Sequence, residues 1–245
     1  EEVMLQQLSM QELSSSEKER RYALLRDKLK AAGLSALIVY GGTQLGVPVH
    51  YLTRIWGNKN NMVIFPVEGE PVFLIPSNSG LTPEFMVEEG CWIPVENIRL
   101  STNTALDAAK VINELKLQKS QIGIDSYRFW PVHEYQTFTE LCPTVMLVEA
   151  HRLFGEVRGP KSAEELALIE NAIRISNFAH YAFLTNLKPG MTEEEAAGKA
   201  EEVLDAYGVG DRIILIHSRP EAVYPNRPGK TIIQKPNPVT FSPEF

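Results

Sequence analysis

The spacing of apolar residues predicts alternating helices and strands in the first 150 residues. Ser16 and Glu19 have the pattern of a capping box, and apolar residues then recur at helical spacing until Gly33, so a helix is predicted there. The run Ala36–Tyr40 is apolar without interruption. Such a run is typical of a strand that is covered on both faces, and we therefore expect helices on both sides of it.

This alternation continues to residue 150. Met62–Phe65 and Val72–Ile75 predict two strands joined by a turn at Gly69, and we expect them to pair antiparallel. They are followed by a helix at 106–117, a strand at 122–125, a short helix after Pro131 and a strand at 145–148. Together these elements predict an α/β domain with a mixed sheet over residues 17–153, preceded by a polar arm at 1–16.

A second domain is predicted over residues 154–245. Ser162 with Glu165 predicts the start of a long helix, and Thr192 with Glu195 predicts the start of another. A strand at 213–216, a segment dense in proline and two short strands near 231–233 and 239–241 follow.

The long helix has a wide apolar face, and the next helix begins with an acidic run. The apolar residues form two adjacent stripes, one with Leu166, Ile169 and Ile173 and the other with Leu168, Ile175 and Ala179. We therefore expect this helix to be mostly buried. The run Glu193–Glu195 lies where the helix dipole favours negative charge, so we expect its side chains to be solvated.

Composition and charge exclude several classes of protein. With 44% hydrophobic residues the chain is not a disordered tail, and a net charge of −7 with scattered basic residues argues against nucleic-acid binding. Cys91 and Cys142 match no metal or redox spacing and fit a reducing compartment, so we expect a cytoplasmic protein. No apolar run approaches the roughly 20 residues of a membrane helix, so no membrane association is expected.

The two ends of the sequence suggest a piece of a longer protein. The chain begins with Glu1 rather than Met, and its last residues, VTFSPEF, have the pattern of a strand that is beginning.

Candidate chemistry rests on one histidine. His50, His133, His151, His180 and His217 include no two at the three-to-five-residue spacing of a helical metal site, so no local metal site is predicted. His217 follows an apolar strand directly, where a side chain leaves the sheet and faces a cleft, and we expect it to be functional. The sequence contains no G-x-S-x-G motif of a serine hydrolase.

Three motifs follow one another along the chain. They are Tyr51-Leu52-Thr53, the R-x-x-K-S-x-x-E pattern of Arg158, Lys161, Ser162 and Glu165, and the P-G-x-T-E pattern that begins at Pro189. From about residue 17 onward their order and spacing resemble the creatinase and Xaa-Pro peptidase group, the pita-bread superfamily. The resemblance implies a creatinase-type N-terminal α/β domain followed by a truncated α+β pita-bread domain.

The resemblance also implies a cofactor. Members of this group hold two divalent, Mn-like cations with two Asp, one His and two Glu, and the metals turn a bridging water into the hydroxide that attacks the bond before proline. This chain departs from the pattern at two positions. Ser242 stands about where the first metal Asp is expected, and Tyr224 stands near a histidine that is catalytic in creatinase. The remaining ligands would lie beyond Phe245, so no metal ligand or catalytic residue is assigned here.

Three functions stay open. The parent protein is an Xaa-Pro dipeptidase or aminopeptidase of which this piece alone is inactive, a metal-independent creatinase-like hydrolase or lyase of a small molecule, or a non-catalytic paralogue that binds peptides or proteins. The resemblance implies a homodimer with a small peptide or small molecule as substrate. We expect His217 to line the substrate cleft, and Tyr51 and Arg54 to reach a cleft, that of the neighbouring subunit, from the N-terminal domain.

Overall fold

A computed structural model describes residues 13–41, 47–55, 60–125, 127–128, 130–210, 212–221 and 224–244. The chain forms two compact units that divide between Lys161 and Ser162. Most of the predicted polar arm, residues 1–12, lies outside the described residues.

The first unit contains a six-stranded mixed sheet. Its strands lie in the order β4-β3-β2-β1-β5-β6, where β1 is Ala36–Gly41, β2 Asn61–Pro66, β3 Val72–Pro76, β4 Ile98–Ser101, β5 Gln121–Ile124 and β6 Met146–Glu149. Strand β2 is antiparallel to both of its neighbours, and all other pairs are parallel. The predicted mixed sheet is confirmed, and so is the hairpin at Gly69, whose φ of 90° suits glycine.

Helices cover both faces of this sheet, as the apolar run of β1 predicts. The helices are α1 Ser15–Ala31, α2 Val47–Thr53, α3 Pro83–Glu88, α4 Thr104–Glu114, α5 Val132–Leu141 and α6 His151–Arg158. Leu37 and Val39 of β1 belong to one core with residues of α1, α2 and α6. Ile38 and Tyr40 belong to the other core with residues of α4 and α5. Alternate residues of one buried strand therefore pack against different helices.

Helix α1 begins two residues before the predicted position. Its N-cap is Ser14, whose hydroxyl accepts a hydrogen bond from the backbone N–H of Glu17, so the predicted capping box of Ser16 and Glu19 is wrong. The Glu17 carboxylate instead accepts from Arg21 Nε at 2.8 Å, and both residues are buried. A buried guanidinium needs such a partner, and this pair ties the start of the helix to its second turn.

Helix α6 belongs to the first unit, although the predicted boundary cut through it and placed residues 154–158 in the second domain. Phe154 and Val157 are fully buried in the core that includes α1. The chain leaves this core only after Arg158, at Gly159 and Pro160. The division therefore falls about eight residues after the predicted position at 154, because α6 is amphipathic and packs on the sheet.

In its described part, the second unit consists of two helices and a two-stranded ribbon. Helix α7 spans Ala163–Asn186, α8 Glu193–Ala206, β7 Ile213–His217 and β8 Thr240–Glu244. Both predicted capping boxes, at Ser162 and Thr192, are confirmed. Strands β7 and β8 pair antiparallel. The predicted short strand near 231–233 is reduced to an isolated bridge between Ile232 and Thr192.

The prediction that the long helix is mostly buried is wrong for α7. Ile175, Ala179 and Phe183 are buried in a core with α8 and β7, but Ile173 is 54% exposed, and Leu166 and Ile169 are also exposed. Helix α8 and a two-stranded ribbon are too narrow to cover both apolar stripes. Among the helices that the structure describes, none has the length and apolar composition to cross a membrane.

Gly123 of β5 is packed so closely that a larger residue should destabilise the first unit. A Cβ at this position would lie 2.9 Å from the Cβ of Ala150 and 3.1 Å from Leu34 Cδ1, closer than atoms of a packed core tolerate. We expect Gly123→Ala to lower the free energy of unfolding by about 1–3 kcal/mol, measured by urea denaturation. Gly155→Ala in α6 is the control, because a Cβ there meets no atom within 4 Å. Equal stability of the two variants would contradict this packing.

Candidate functional site

One face of the β7–β8 ribbon turns away from the helices of the second unit. Ile214 and Ile216 are buried in the helical core, and the ring of Phe241 stacks on Phe183 of α7 with centroids 3.9 Å apart. Because side chains alternate along a strand, the residues between them lie on the opposite face. We call this the ribbon face, and its members are Ile213, Leu215, His217, Thr240, Ser242 and Glu244.

The strand register brings His217 and Ser242 to the same face. His217 lies directly opposite Thr240, and Leu215 lies opposite Ser242. His217 and Ser242 are therefore diagonal neighbours, a separation at which long side chains still interact. The histidine that the sequence singled out thus shares a surface with the serine that stands where the resemblance expects an aspartate.

His217 is half-buried at the end of β7. Its Nε2 atom is inaccessible to water, and no hydrogen bond reaches that atom within the described part of the chain. A buried ring nitrogen without a partner is an uncommon arrangement, because each unmade hydrogen bond costs stability. It is the kind of group that a bound ligand can satisfy.

Ser218, the residue after His217, is hydrogen-bonded to a buried carboxylate of α8. The backbone N–H and the hydroxyl of Ser218 both donate to Glu193 Oε1, at 3.0 and 2.8 Å. Glu193 is only 6% exposed, at the first turn of α8. These two bonds turn Ser218 toward the helix and thereby direct the preceding side chain, His217, to the ribbon face.

Glu193 is a residue that sequence reasoning missed. The run Glu193–Glu195 predicted three solvated carboxylates, and Glu194 and Glu195 are indeed exposed. Glu193 differs because it contacts a distant residue, Ser218, and no local pattern indicates this partner.

The ribbon face does not fit a pair of divalent cations. Its side-chain donors are one imidazole, two hydroxyl groups and the carboxylate of Glu244 at the exposed end of β8. Across the described ranges, no group of three His, Cys, Asp or Glu side chains is close enough to hold a metal. A site of this kind needs several carboxylates, so no step is assigned to a metal on these residues.

Tyr51 is buried in the first unit rather than lining a cleft there. Its side chain is 7% exposed and lies between the guanidinium of Arg21, 4.1 Å from the ring centroid, and the ring of Phe154. This cation–π contact belongs to the same buried cluster as the Glu17–Arg21 ion pair. The proposed contact of Tyr51 with a substrate stays a prediction.

Arg54 lies at the end of α2 in a left-handed conformation, with φ of 63°. Its guanidinium extends beside Gly90, where an added Cβ would be 3.3 Å from Nη1. The residue lines a cavity of 260 Å³ together with Phe85 and Met86. The structure therefore places Arg54 at a partly apolar cavity of the first unit, and its contact with a substrate also stays a prediction.

Comparisons with known proteins identify the family of the chain through its first unit. Residues 21–159 match the family model of the Creatinase/Prolidase N-terminal domain. No curated protein matches the chain in a sequence search.

Solved structures share the fold over most of the chain. The X-Pro aminopeptidase from Thermotoga maritima is similar with a TM-score of 0.72 and 15% identity, over 90% of this chain and 59% of that one. The Xaa-Pro dipeptidase from Bacillus anthracis gives 0.68 at 16% identity, over 92% and 60%. The prolidase from Pyrococcus horikoshii gives 0.66 at 17% identity, over 89% and 58%. The chain thus spans about three fifths of the length of these structures.

The Glu193–Ser218 contact should stabilise the second unit. Glu193→Ala leaves two buried donors of Ser218 without an acceptor, and we expect a loss of about 1–3 kcal/mol in the free energy of unfolding of the second unit. Chemical denaturation followed by circular dichroism measures it. Glu194→Ala is the matched control, since that neighbouring carboxylate is exposed and should change stability by less than about 0.5 kcal/mol. A loss as large in the control would refute the role of the contact.

Proposed function

Since the chain belongs to the family of the creatinase/prolidase N-terminal domain, we propose that it is part of a hydrolase that cleaves the bond before proline in small peptides. The structures that share its fold are prolidases, Xaa-Pro dipeptidases and an X-Pro aminopeptidase, and they extend beyond the part that this chain matches. The observation that carries the proposal is His217, which lies on the ribbon face opposite the helical core and whose Nε2 has no hydrogen-bond partner among the described residues.

In this proposal the ribbon face forms part of the substrate cleft. His217 binds the peptide through its imidazole. Its buried Nε2 atom becomes accessible when the ring rotates, and it can then hold the carbonyl oxygen or the N–H of the residue before proline, depending on its tautomer. The Glu193–Ser218 contact keeps the imidazole in place without contacting the substrate. Two divalent cations would supply the nucleophilic hydroxide, on ligands other than the residues described here.

The proposal extends to the assembly and its location. Tyr51 and Arg54 would reach the cleft of the neighbouring subunit in a homodimer, and the enzyme would act in the cytoplasm. Tyr51 would have to leave its buried position to do so, whereas Arg54 already lines a cavity, so Arg54 is the better supported of the two.

A second candidate is a metal-independent, creatinase-like hydrolase or lyase of a small molecule. Ser242 favours it, because a serine lies on the ribbon face, diagonal to His217, where the resemblance expects a metal-binding aspartate. The other departure, Tyr224, is 70% exposed and gives this candidate no further support.

Hydrolysis of an Ala-Pro dipeptide by the full-length protein tests the proposal. We expect turnover that a chelator abolishes and that added Mn²⁺ restores. Turnover that persists in the chelator would favour the second candidate. No turnover of the dipeptide under either condition would overturn the proposed peptidase and leave a non-catalytic, peptide-binding paralogue.

The contribution of His217 is tested in the same assay. His217→Ala removes a hydrogen bond to the substrate, so we expect kcat/KM to fall about tenfold to hundredfold. The thermal midpoint should not fall, because Nε2 has no partner to lose in the described part of the chain. His217→Asn keeps a hydrogen-bonding group and should retain more activity than His217→Ala. Unchanged kinetics in both variants would remove His217 from the site.

A further inference from the structure

A polar pocket lies at the carboxyl edge of the sheet in the first unit. Its volume is 310 Å³, which suits a small ligand. One wall consists of hydroxyl and amide side chains from the segments that follow β3 and β4, among them Ser77, Asn78 and Thr102. The other wall is formed by His133, Glu134 and Thr137 of α5. We call it the edge pocket, and it shares no residue with the ribbon face.

The position of the edge pocket is one that α/β proteins commonly use for binding. Strands β3 and β4 are parallel and end at Pro76 and Ser101, so their carboxyl ends meet at the pocket. The loops after parallel strands diverge there and leave a crevice that no strand fills. The sheet topology therefore creates this cavity, and the side chains that line the cavity determine which ligand binds there.

Glu134 is the charged acceptor of the pocket. Its Oε2 atom is buried and makes no hydrogen bond of good geometry within the described residues. The carboxylate forms no ion pair with any lysine or arginine that the structure describes. Since Oε2 is buried and Glu134 lines the pocket, the other oxygen, Oε1, is the atom that can face the cavity.

Two aromatic side chains with hydrogen-bond donors lie near the carboxylate of Glu134. The indole N–H of Trp130 and the hydroxyl of Tyr40 are both buried and directed toward Glu134 without completing an ideal hydrogen bond. Their rings stack on each other with centroids 6.2 Å apart, and Trp130 also packs on Phe138. The packing of the two rings thus keeps both donors on the buried side of Glu134.

The charge of Glu134 is only partly compensated. Burial raises the pKa of its carboxyl group, while the neighbouring His133 and the hydrogen-bond donors Trp130 and Tyr40 lower it. A carboxylate in this situation gains from a cation that enters the pocket. An anion would be repelled by the same group.

We propose that the edge pocket binds a small molecule with an ammonium group, and that Glu134 is its acceptor. An ammonium group has several N–H donors, and one of them bonds Glu134 Oε1. The others need acceptors nearby. Thr137 offers one, because its hydroxyl already donates its proton to the carbonyl oxygen of His133, at 2.9 Å, and its oxygen is left to accept. Simple amines and free amino acids belong to this class of ligand.

Nuclear magnetic resonance with ethanolamine as the probe tests the proposal. The chain has three tryptophans, and the variant Trp130→Phe identifies the indole N–H signal of Trp130. We expect ethanolamine hydrochloride to shift this signal in a saturable way near neutral pH, because it changes the charge balance at Glu134. Ethylene glycol, which has the hydroxyl groups but no ammonium, and sodium chloride at equal concentration should leave it unmoved.

Variants of α5 identify the acceptor. Glu134→Gln should weaken ethanolamine binding about tenfold or more, because a charge-assisted hydrogen bond is lost. It should fold normally, as judged by circular dichroism, since a neutral side chain replaces a poorly compensated charge. Glu140→Gln, an exposed residue of the same helix, is the matched control and should bind like the parent protein.

Three results would overturn the proposal. They are the absence of a saturable shift, an equal shift with ethylene glycol, which would mean recognition of hydroxyl groups alone, and unchanged affinity in Glu134→Gln. None of them bears on the peptidase assay, because the edge pocket and the ribbon face share no residue.

Discussion

The two-residue period of the strands is the constraint on which both units depend. In β1, Leu37 and Val39 pack on one layer of helices while Ile38 and Tyr40 pack on the other, and this fixes the sheet between two cores. In β7, the same period puts Ile216 against the helices and His217 on the ribbon face. A shift of one residue in either strand would exchange the two faces completely. The position of His217 on the ribbon face therefore depends on the register of β7.

Glu193 is buried and Glu134 is half-buried, and the protein uses their carboxylates differently. Glu193 accepts two hydrogen bonds from Ser218, and its role is to fix the end of β7. Glu134 has donors near it but no bond of good geometry and no ion pair among the described residues, and burial raises the pKa of its carboxyl group. The hydrogen-bonded carboxylate of Glu193 stabilises the fold. The carboxylate of Glu134 lacks such bonds, so it is available to a ligand.

Much of the fold could be predicted from the sequence, because its strongest signals are local. The apolar run at 36–40 predicts a covered strand, and the pairs Ser162 with Glu165 and Thr192 with Glu195 predict helix starts to the residue. Short-range patterns can also mislead: Ser14 and Ser16 both precede a glutamate by three residues, and only the former caps α1. The local pattern alone does not decide between them.

The features that sequence reasoning missed depend on distant residues. The burial of Glu193 depends on Ser218, which is 25 residues away. Ile173 is exposed because the other elements of the second unit bury only part of the surface of α7. The apolar periodicity of a helix identifies its apolar stripes, but it does not show how many of them other elements bury. His217 could be singled out because it directly follows an apolar strand, but the face on which it lies follows only from the pairing with β8.

The register of β7 is tested most directly by nuclear Overhauser effects between side chains of the ribbon. His217 and Thr240 are directly opposite on antiparallel strands, where Cβ atoms are about 5 Å apart. We expect a cross-peak between the His217 protons and the Thr240 methyl group, and a second one between the rings of Phe241 and Phe183. Cross-peaks from His217 to Phe183 in their place would put the histidine on the helical side and contradict this register.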